Sequence, residues 1–175
     1  MLRKIVSGGQ TGVDRAALDA AISSELEYGG WCPKGRLDEQ GKIPEKYKKL
    51  KEISGEFKTE KENYDARTRK NILESDGTLI LVPQIPLPTN IKDGTILTIA
   101  YAKQKPYLII DLSQSIHLNS ELIFNWIAEN KIHTLNIAGP RESTCPGIHQ
   151  SSLKLLQIVL PRCGNSCSLK GFKNF

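Results

Sequence analysis

Residues 3–15 limit the choice of fold more than any other stretch, because they join a strand pattern, a glycine-rich loop and a helix pattern. Ile5 and Val6 form the apolar run, and residues 7–12 form the loop that follows. From Val13 onward, apolar residues recur at spacings of three and four, as in an amphipathic helix. The order of strand, glycine loop and helix is typical of a phosphate-binding βα unit.

This glycine loop is the first candidate ligand site. A helix start presents unpaired backbone N–H groups and the positive end of the helix dipole, so an anion is the natural ligand. The loop fits neither G-x-G-x-x-G nor G-x-x-x-x-G-K-[ST], and a tight strand-to-helix turn with a Ser or Thr cap is the structural alternative. The residues predicted to bind ligand here are Gly8, Gly9, Gln10, Thr11, Gly12, Asp14 and Arg15.

Strand and helix patterns alternate along the rest of the chain. A short strand is predicted near 27–32, and apolar runs near 79–83, 107–112 and 134–138 suit strands of a parallel sheet that is covered on both faces. Helices are predicted over 65–75, 96–103, 120–130 and 148–160, with Asn63 or Asp65 as the cap of the first, and a long polar loop is predicted over 38–63. The pattern indicates an α/β fold.

Several polar residues are predicted to lie at the carboxyl ends of these strands, where open α/β sheets bind ligands. Lys34 and Arg36 follow the second strand and are either anion contacts or ordinary surface charges. Arg67 and Asn71 share a helix face that points either into a crevice or into water. Two further glycine-containing helix starts complete the set of candidates, with Gly94 and Thr95 at one and Gly139, Pro140, Arg141, Glu142 and Ser143 at the other.

Length and charge narrow the class of protein. A chain of 175 residues fits one domain, predicted over 1–161, with an irregular C-terminal extension over 162–175. The net charge of +5 is modest, and lysines alternate with glutamates over 42–62, so nucleic acid is not the expected partner. No apolar stretch approaches the ~20 residues that span a bilayer, and no signal peptide is recognised, so we expect a cytoplasmic protein without a membrane partner.

The cysteines do not predict a metal site. Cys32, Cys145, Cys163 and Cys167 form no C-x-x-C pair and have no histidines at zinc spacing. We expect free thiols, since a reducing compartment keeps cysteines unpaired. Binding of a soft metal by Cys145, Cys163 and Cys167 is the alternative.

Taken together, separated motifs in this sequence resemble the molybdenum carrier family over about residues 3–160. They are GGQTGVDR at 8–15, GWCPKGR at 30–36, Tyr64 with Arg67, Thr68 and Asn71, SDGT at 75–78, GTILT at 94–98, and GPRES at 139–143 with PGI at 146–148. The resemblance implies a Rossmann-like three-layer α/β/α fold with a mainly parallel sheet. It adds Asp76 to the predicted ligand-binding residues.

The same resemblance implies kinship with molybdenum-cofactor carrier proteins and with the lysine-decarboxylase-like or Lonely Guy proteins. Ligands in that group are nucleotides or pterin-like phosphate compounds, and many members are homo-oligomers. The sequence departs from the Lonely Guy pattern P-G-G-x-G-T-x-x-E, because Thr98 stands at the Glu position. The carboxylate that assists cleavage of an N-glycosidic bond is therefore missing from its place.

Two functions follow from these observations, and an interaction module with a vestigial ligand pocket is the third alternative. The first is a binding protein for a small phosphorylated ligand, either a nucleotide or the molybdenum cofactor or its precursor. The alternative is a nucleotide N-glycosidase of the phosphoribohydrolase type, in which Asp93, Glu142 or Asp76 supplies the carboxylate. The catalytic residues of such an enzyme are not identified by the sequence.

Overall fold

A parallel sheet of five strands, in the order β2-β1-β9-β7-β8, forms the centre of the computed structural model, which describes residues 1–92 and 94–164. Every pairing between neighbours in this sheet is parallel, with Val6 opposite Asn136 and Ile80 opposite Ala138. The strands are β1 (Lys4–Val6), β2 (Glu27–Gly29), β7 (Gly77–Val82), β8 (Tyr107–Asp111) and β9 (Thr134–Ala138).

Strand β7 shows that helices cover both faces of this sheet. Leu79 and Leu81 pack into one core with α1 (Val13–Ser23), α4 (Ile116–Glu129) and α5 (Ile148–Gly164). Ile80 and Val82 belong to a second core with Ala102 of α3 (Gly94–Ala102), and α2 (Glu60–Leu73) packs against α3. Since alternate residues of a strand point to opposite faces, the fold is the Rossmann-like α/β arrangement expected from the sequence.

Residues 31–59 form a structured excursion at the edge of the sheet, where a long loop was predicted. It contains the parallel pair β3 (Trp31–Cys32) and β6 (Lys51–Glu52), the hairpin β4 (Leu37–Asp38) and β5 (Gly41–Lys42), and a 3₁₀ turn (Glu45–Tyr47). The excursion has its own small core against α1, because its apolar side chains are buried together. That core comprises Leu18, Cys32, Ile43, Tyr47 and Leu50.

The start of α2 and the end of α5 differ from the sequence predictions. Helix α2 begins at Glu60, since the Thr59 hydroxyl accepts a hydrogen bond from the Glu62 N–H at 3.2 Å. The predicted caps Asn63 and Asp65 were therefore wrong. Helix α5 continues through residues 161–164, where the extension was expected to begin, and residues 165–175 lie outside the described residues. Among residues 1–92 and 94–164, no helix is both long and apolar enough to cross a bilayer.

Candidate functional site

A crevice opens between β9 and β7 because the helices that follow these strands go to opposite faces of the sheet. Helix α5 follows β9 to one face, and α3 follows β7 to the other. Ligands of open α/β sheets bind at the carboxyl ends of the strands at such a switch point. We call the polar cavity found there the switch-point crevice. It is lined by Gln10, Asp14, Arg67, Thr68, Gly94, Thr95, Thr98, Ala138, Gly139 and Arg141.

The glycine loop after β1 forms one wall of this crevice and depends on two of its glycines. Gly12 has a φ of +74°, and a Cβ at this position would lie 2.4 Å from the Pro140 carbonyl oxygen. A Cβ on Gly8 would lie 1.6 Å from Nη1 of Arg67, so the guanidinium lies directly across the Gly8 backbone. The loop therefore packs against residues 139–142 on one side and against Arg67 on the other.

An ion pair between Arg67 and Asp14 fills much of the crevice. The Asp14 side chain is almost fully buried and that of Arg67 is mostly buried, and Nη1 of Arg67 lies 3.1 Å from Oδ2 of Asp14. Burial raises the pKa of Asp14, and the Arg67 guanidinium and the Gln10 N–H act in the opposite direction. The remaining cavity is about 30 Å³, which is room for one or two water molecules.

Gln10, a residue of the crevice lining, carries an unsatisfied donor. Its Oε1 accepts hydrogen bonds from the Thr11 N–H at 2.9 Å and from the Glu39 N–H at 3.1 Å, which fixes the orientation of the amide. Gln10 is only 6% exposed, and within residues 1–92 and 94–164 its Nε2 group has no hydrogen-bond partner. A buried donor without a partner costs about 1–3 kcal/mol, so an acceptor atom entering the crevice would be favoured.

Many of the predicted ligand residues meet at this edge of the sheet. Those that line the crevice itself are Gln10, Asp14, Arg67, Gly94, Thr95, Gly139 and Arg141. Gly8 and Gly12 shape the wall, while Gly9 packs towards Leu50 and Ile43 of the excursion. Thus the loops after β1 and β9 and the start of α3 converge.

Other predicted residues lie beside the crevice and have local partners. Arg15 pairs with Asp38, and the Pro140 carbonyl accepts the Val13 N–H at 3.2 Å. The Glu142 carboxylate accepts the N–H groups of Gly147 at 2.6 Å and His149 at 3.0 Å around the start of α5. Thr11 and Ser143 bind Glu39, a residue that no sequence pattern singled out.

Four predicted ligand residues are not brought into the crevice. Arg36 donates to the carbonyls of Leu50 and Tyr47, so its guanidinium holds the excursion together. The Lys34 ammonium is exposed and donates to the Gly55 carbonyl at 3.3 Å. These two cations therefore have structural contacts where anion contacts were expected.

Asn71 and Asp76 are also placed elsewhere. The Asn71 amide accepts from the Trp31 N–H at 2.7 Å and donates to the Trp31 carbonyl at 3.0 Å. Asp76 lies before β7, at the amino edge of the sheet, where it accepts the N–H groups of His133 and Thr134. Asp76 therefore lies at the opposite edge of the sheet from Thr98 and cannot replace the missing carboxylate.

A larger groove that the sequence did not reveal lies on the other side of Thr11 and Gly12. Its volume is about 430 Å³, and its lining includes Arg15, Lys46 and His149. Asp19 in this groove accepts from Lys46, Tyr47 and His149 at 2.8–3.2 Å. Although burial opposes the shift, these hydrogen bonds lower the pKa of Asp19.

Thr98 faces the crevice from α3, at the position where the Lonely Guy pattern has a glutamate. Its hydroxyl donates to the Gly94 carbonyl at 2.7 Å, one turn earlier in the same helix. Among the described residues of the lining, Asp14 supplies a carboxylate, and it is held by Arg67. Asp93 lies outside the described residues. Within the described ranges, no three His, Cys, Asp or Glu side chains are grouped so that they could hold a metal ion.

Fold and crevice together define a Rossmann-like α/β protein with a polar crevice at the switch point of its sheet. The sequence matches the family described as "Circularly permutated YpsA SLOG family" over residues 5–160, and the chain belongs to this family.

A solved structure supports the same assignment. The chain is similar to a "Putative molybdenum carrier protein" from Syntrophus aciditrophicus SB, with 47% sequence identity and a TM-score of 0.80. The similarity covers 91% of this chain and 95% of that chain. No curated protein matches the sequence. The resemblance stated from the sequence motifs is thus confirmed at the level of family and fold.

Proposed function

We propose that this protein binds a small phosphorylated ligand, a nucleotide or a compound like the molybdenum cofactor, in the switch-point crevice. The observation that carries the proposal is the buried Nε2 donor of Gln10, a residue of the crevice lining, which has no hydrogen-bond partner among the described residues. A phosphate oxygen is an acceptor of the kind that this donor lacks. The position of the crevice, at the carboxyl ends of β9 and β7, is where sheets of this class bind ligands.

The other groups around Gln10 favour an anion over a cation. Helix α3 begins at Gly94, so the positive end of its dipole lies at the crevice. Arg67 and Arg141 bring positive charge into the same lining. Guanidinium and amide donors match phosphate oxygens and repel metal cations.

Entry of a ligand must change the Arg67–Asp14 pair. With both side chains in place the cavity holds about 30 Å³, too little for more than part of a phosphate group. We propose that the ligand phosphate competes with Asp14 for the Arg67 guanidinium. Because burial already raises the pKa of Asp14, this carboxyl can take up a proton at less cost than an exposed aspartate when it loses its partner.

The name of the Syntrophus aciditrophicus protein supports a carrier over an enzyme, and under this proposal the same role extends to the present chain. The placement of Asp76 at the far edge and the contacts of Glu142 with the start of α5 weigh against cleavage of an N-glycosidic bond. We therefore propose binding without cleavage. Incubation with nucleoside monophosphates should release no free base.

Isothermal titration calorimetry tests the proposal directly. The titrants are AMP, ADP, GMP, molybdate and purified molybdenum cofactor, and the Gln10→Ala variant is compared with Gln104→Ala. Gln104 lies exposed in the turn between α3 and β8, far from the crevice. Loss of the Gln10 donor should weaken the tightest ligand about tenfold, and Gln104→Ala should leave its affinity unchanged.

Two results would overturn the proposed function. One is the absence of binding across the whole set of titrants. The other is equal affinity in wild type and Gln10→Ala, because the ligand would then bind at a site away from Gln10. The homo-oligomer, the cytoplasmic location and the absence of a nucleic-acid partner stay predictions.

A further inference from the structure

Glu39 occupies an unusual position beside the crevice. It lies at the tip of the β4–β5 hairpin, on the excursion, yet its carboxylate reaches the loops after β1 and β9. One oxygen accepts from the Thr11 hydroxyl and from the Ser143 N–H at 3.1 Å, and the other accepts from the Ser143 hydroxyl. Nε of Arg141 lies 3.9 Å from the second oxygen.

These donors form a complete anion-binding set. Two hydroxyls, one backbone N–H and one guanidinium surround the two oxygens of a single carboxylate, and all come from glycine-containing loops at the carboxyl edge of the sheet. Phosphate groups are bound elsewhere by the same combination of donors. The hydrogen bonds from Ser143 and Thr11 lower the pKa of Glu39 against the opposing effect of burial, so the carboxylate is ionised at neutral pH.

Two residues connect this carboxylate to the switch-point crevice. Arg141 lines the crevice and also pairs with Glu39. Gln10 belongs to the crevice lining, and its Oε1 accepts the Glu39 N–H. A ligand in the crevice therefore lies next to the groups that hold Glu39.

We propose that Glu39 occupies a second anion subsite, formed by Thr11, Arg141 and Ser143, that takes the outer phosphate of a ligand carrying a diphosphate. The inference rests on the proposed function, because it assumes that the inner phosphate binds in the crevice. Under this proposal the Glu39 side chain rotates away when the outer phosphate binds. Its carboxylate is thus an internal competitor that lowers the affinity for a diphosphate and leaves a monophosphate largely unaffected.

The test compares ADP with AMP by calorimetry in wild type, Glu39→Gln and Glu45→Gln. Glu45 lies exposed on the same excursion, so its variant reproduces the change in net charge without touching the subsite. In Glu39→Gln the ratio of ADP affinity to AMP affinity should rise about tenfold, since a neutral amide neither competes with nor repels the outer phosphate. Glu45→Gln should leave the ratio unchanged.

A second variant tests the subsite from the opposite side. Ser143→Ala removes a hydroxyl donor and should weaken ADP several-fold while AMP affinity stays constant, and urea unfolding shows that each variant is folded. An unchanged or smaller ADP-to-AMP ratio in Glu39→Gln, or an equal effect of Ser143→Ala on both nucleotides, would overturn the inference.

The outcomes for wild type separate this inference from the proposed function. If Gln10→Ala weakens AMP and ADP but Glu39→Gln leaves the ratio of their affinities unchanged, only the second subsite is wrong. If neither nucleotide binds to wild type or to Glu39→Gln, the proposed phosphate site fails and the subsite fails with it. If ADP binds to Glu39→Gln but not to wild type, the result would support the role of Glu39 as an internal competitor.

Discussion

Two aspartates at opposite edges of the sheet show how differently the two edges are built. At the amino edge, exposed Asp76 accepts the N–H groups of His133 and Thr134 at 2.9 and 2.7 Å. At the carboxyl edge, buried Asp14 is held by Arg67 beside the unsatisfied donor of Gln10. Burial opposes ionisation at both positions, yet the pKa of Asp76 is lowered and that of Asp14 is raised.

The difference lies in what each edge does with its polar groups. The amino edge uses a carboxylate to satisfy backbone donors, and this favours the folded state. The carboxyl edge buries a charge pair and leaves Nε2 of Gln10 without a partner among the described residues. Both features disfavour the folded state. Shifted pKa values of this origin in a crevice are typical of functional sites.

The largest effect on stability is expected from Gly12→Ala. The new Cβ would approach the Pro140 carbonyl oxygen to 2.4 Å, with a φ of +74° that side chains disfavour. We expect a loss of about 2–4 kcal/mol in the free energy of unfolding, measured with urea. Gly94→Ala is the control, because nothing lies within 4 Å of a Cβ there. Equal losses in both variants would mean that the loop at Gly12 is not closely packed against the loop at Pro140.

Removal of the Asp76 carboxylate should have a smaller effect. Asp76→Ala leaves the N–H groups of His133 and Thr134 without their acceptor, but solvent reaches this edge and reduces the penalty. We expect a loss of about 1 kcal/mol in the free energy of unfolding. The exposed Glu56→Ala is the control, and an equally small change in both variants would contradict a stabilising role for Asp76.

The pH dependence of stability should distinguish the two aspartates by sign. A raised pKa means that the folded protein holds the Asp14 proton more tightly, so stability falls as pH rises from about 3.8 through the folded pKa. The free energy of unfolding of Asp14→Asn, relative to wild type, should therefore increase with pH above that value.

For Asp76 the sign is reversed. Its pKa is lowered, so its contribution is present above about 3.8 and is lost as pH falls through the folded pKa. Relative to wild type, Asp76→Asn should lose stability as pH rises through this lower window. Urea unfolding of both variants between about pH 2.5 and pH 7 measures these trends, and slopes of the same sign would refute the contrast between the edges.

The sequence predicted the elements whose pattern is local. The apolar run of β7 is buried at every residue, and the sequence marked it as a strand covered on both faces. Convergence of the loops after β1 and β9 with the start of α3 followed from the alternation of strands and helices. The start of α2 was predicted too late because Thr59 lies in a polar stretch that also offered Asn63 and Asp65 as caps.

Contacts between side chains that are distant in the sequence could not be predicted from the sequence. Arg36 and Asn71 have the residue types of ligand contacts, but the excursion folds back and takes up their hydrogen bonds. Glu39 belongs to no motif and acquires its position only when the β4–β5 hairpin packs beside the glycine loops. The groove likewise joins α1 with the start of α5, through Asp19 and His149, which are 130 positions apart.

A crystal structure of the protein with the tightest ligand from calorimetry tests the central claim most directly. The account predicts a phosphate group in the switch-point crevice, with an oxygen within hydrogen-bonding distance of Gln10 Nε2 and with Arg67 turned from Asp14 towards the ligand. A ligand bound instead in the groove beside Asp19 and His149, with Gln10 Nε2 still lacking a partner, would contradict it.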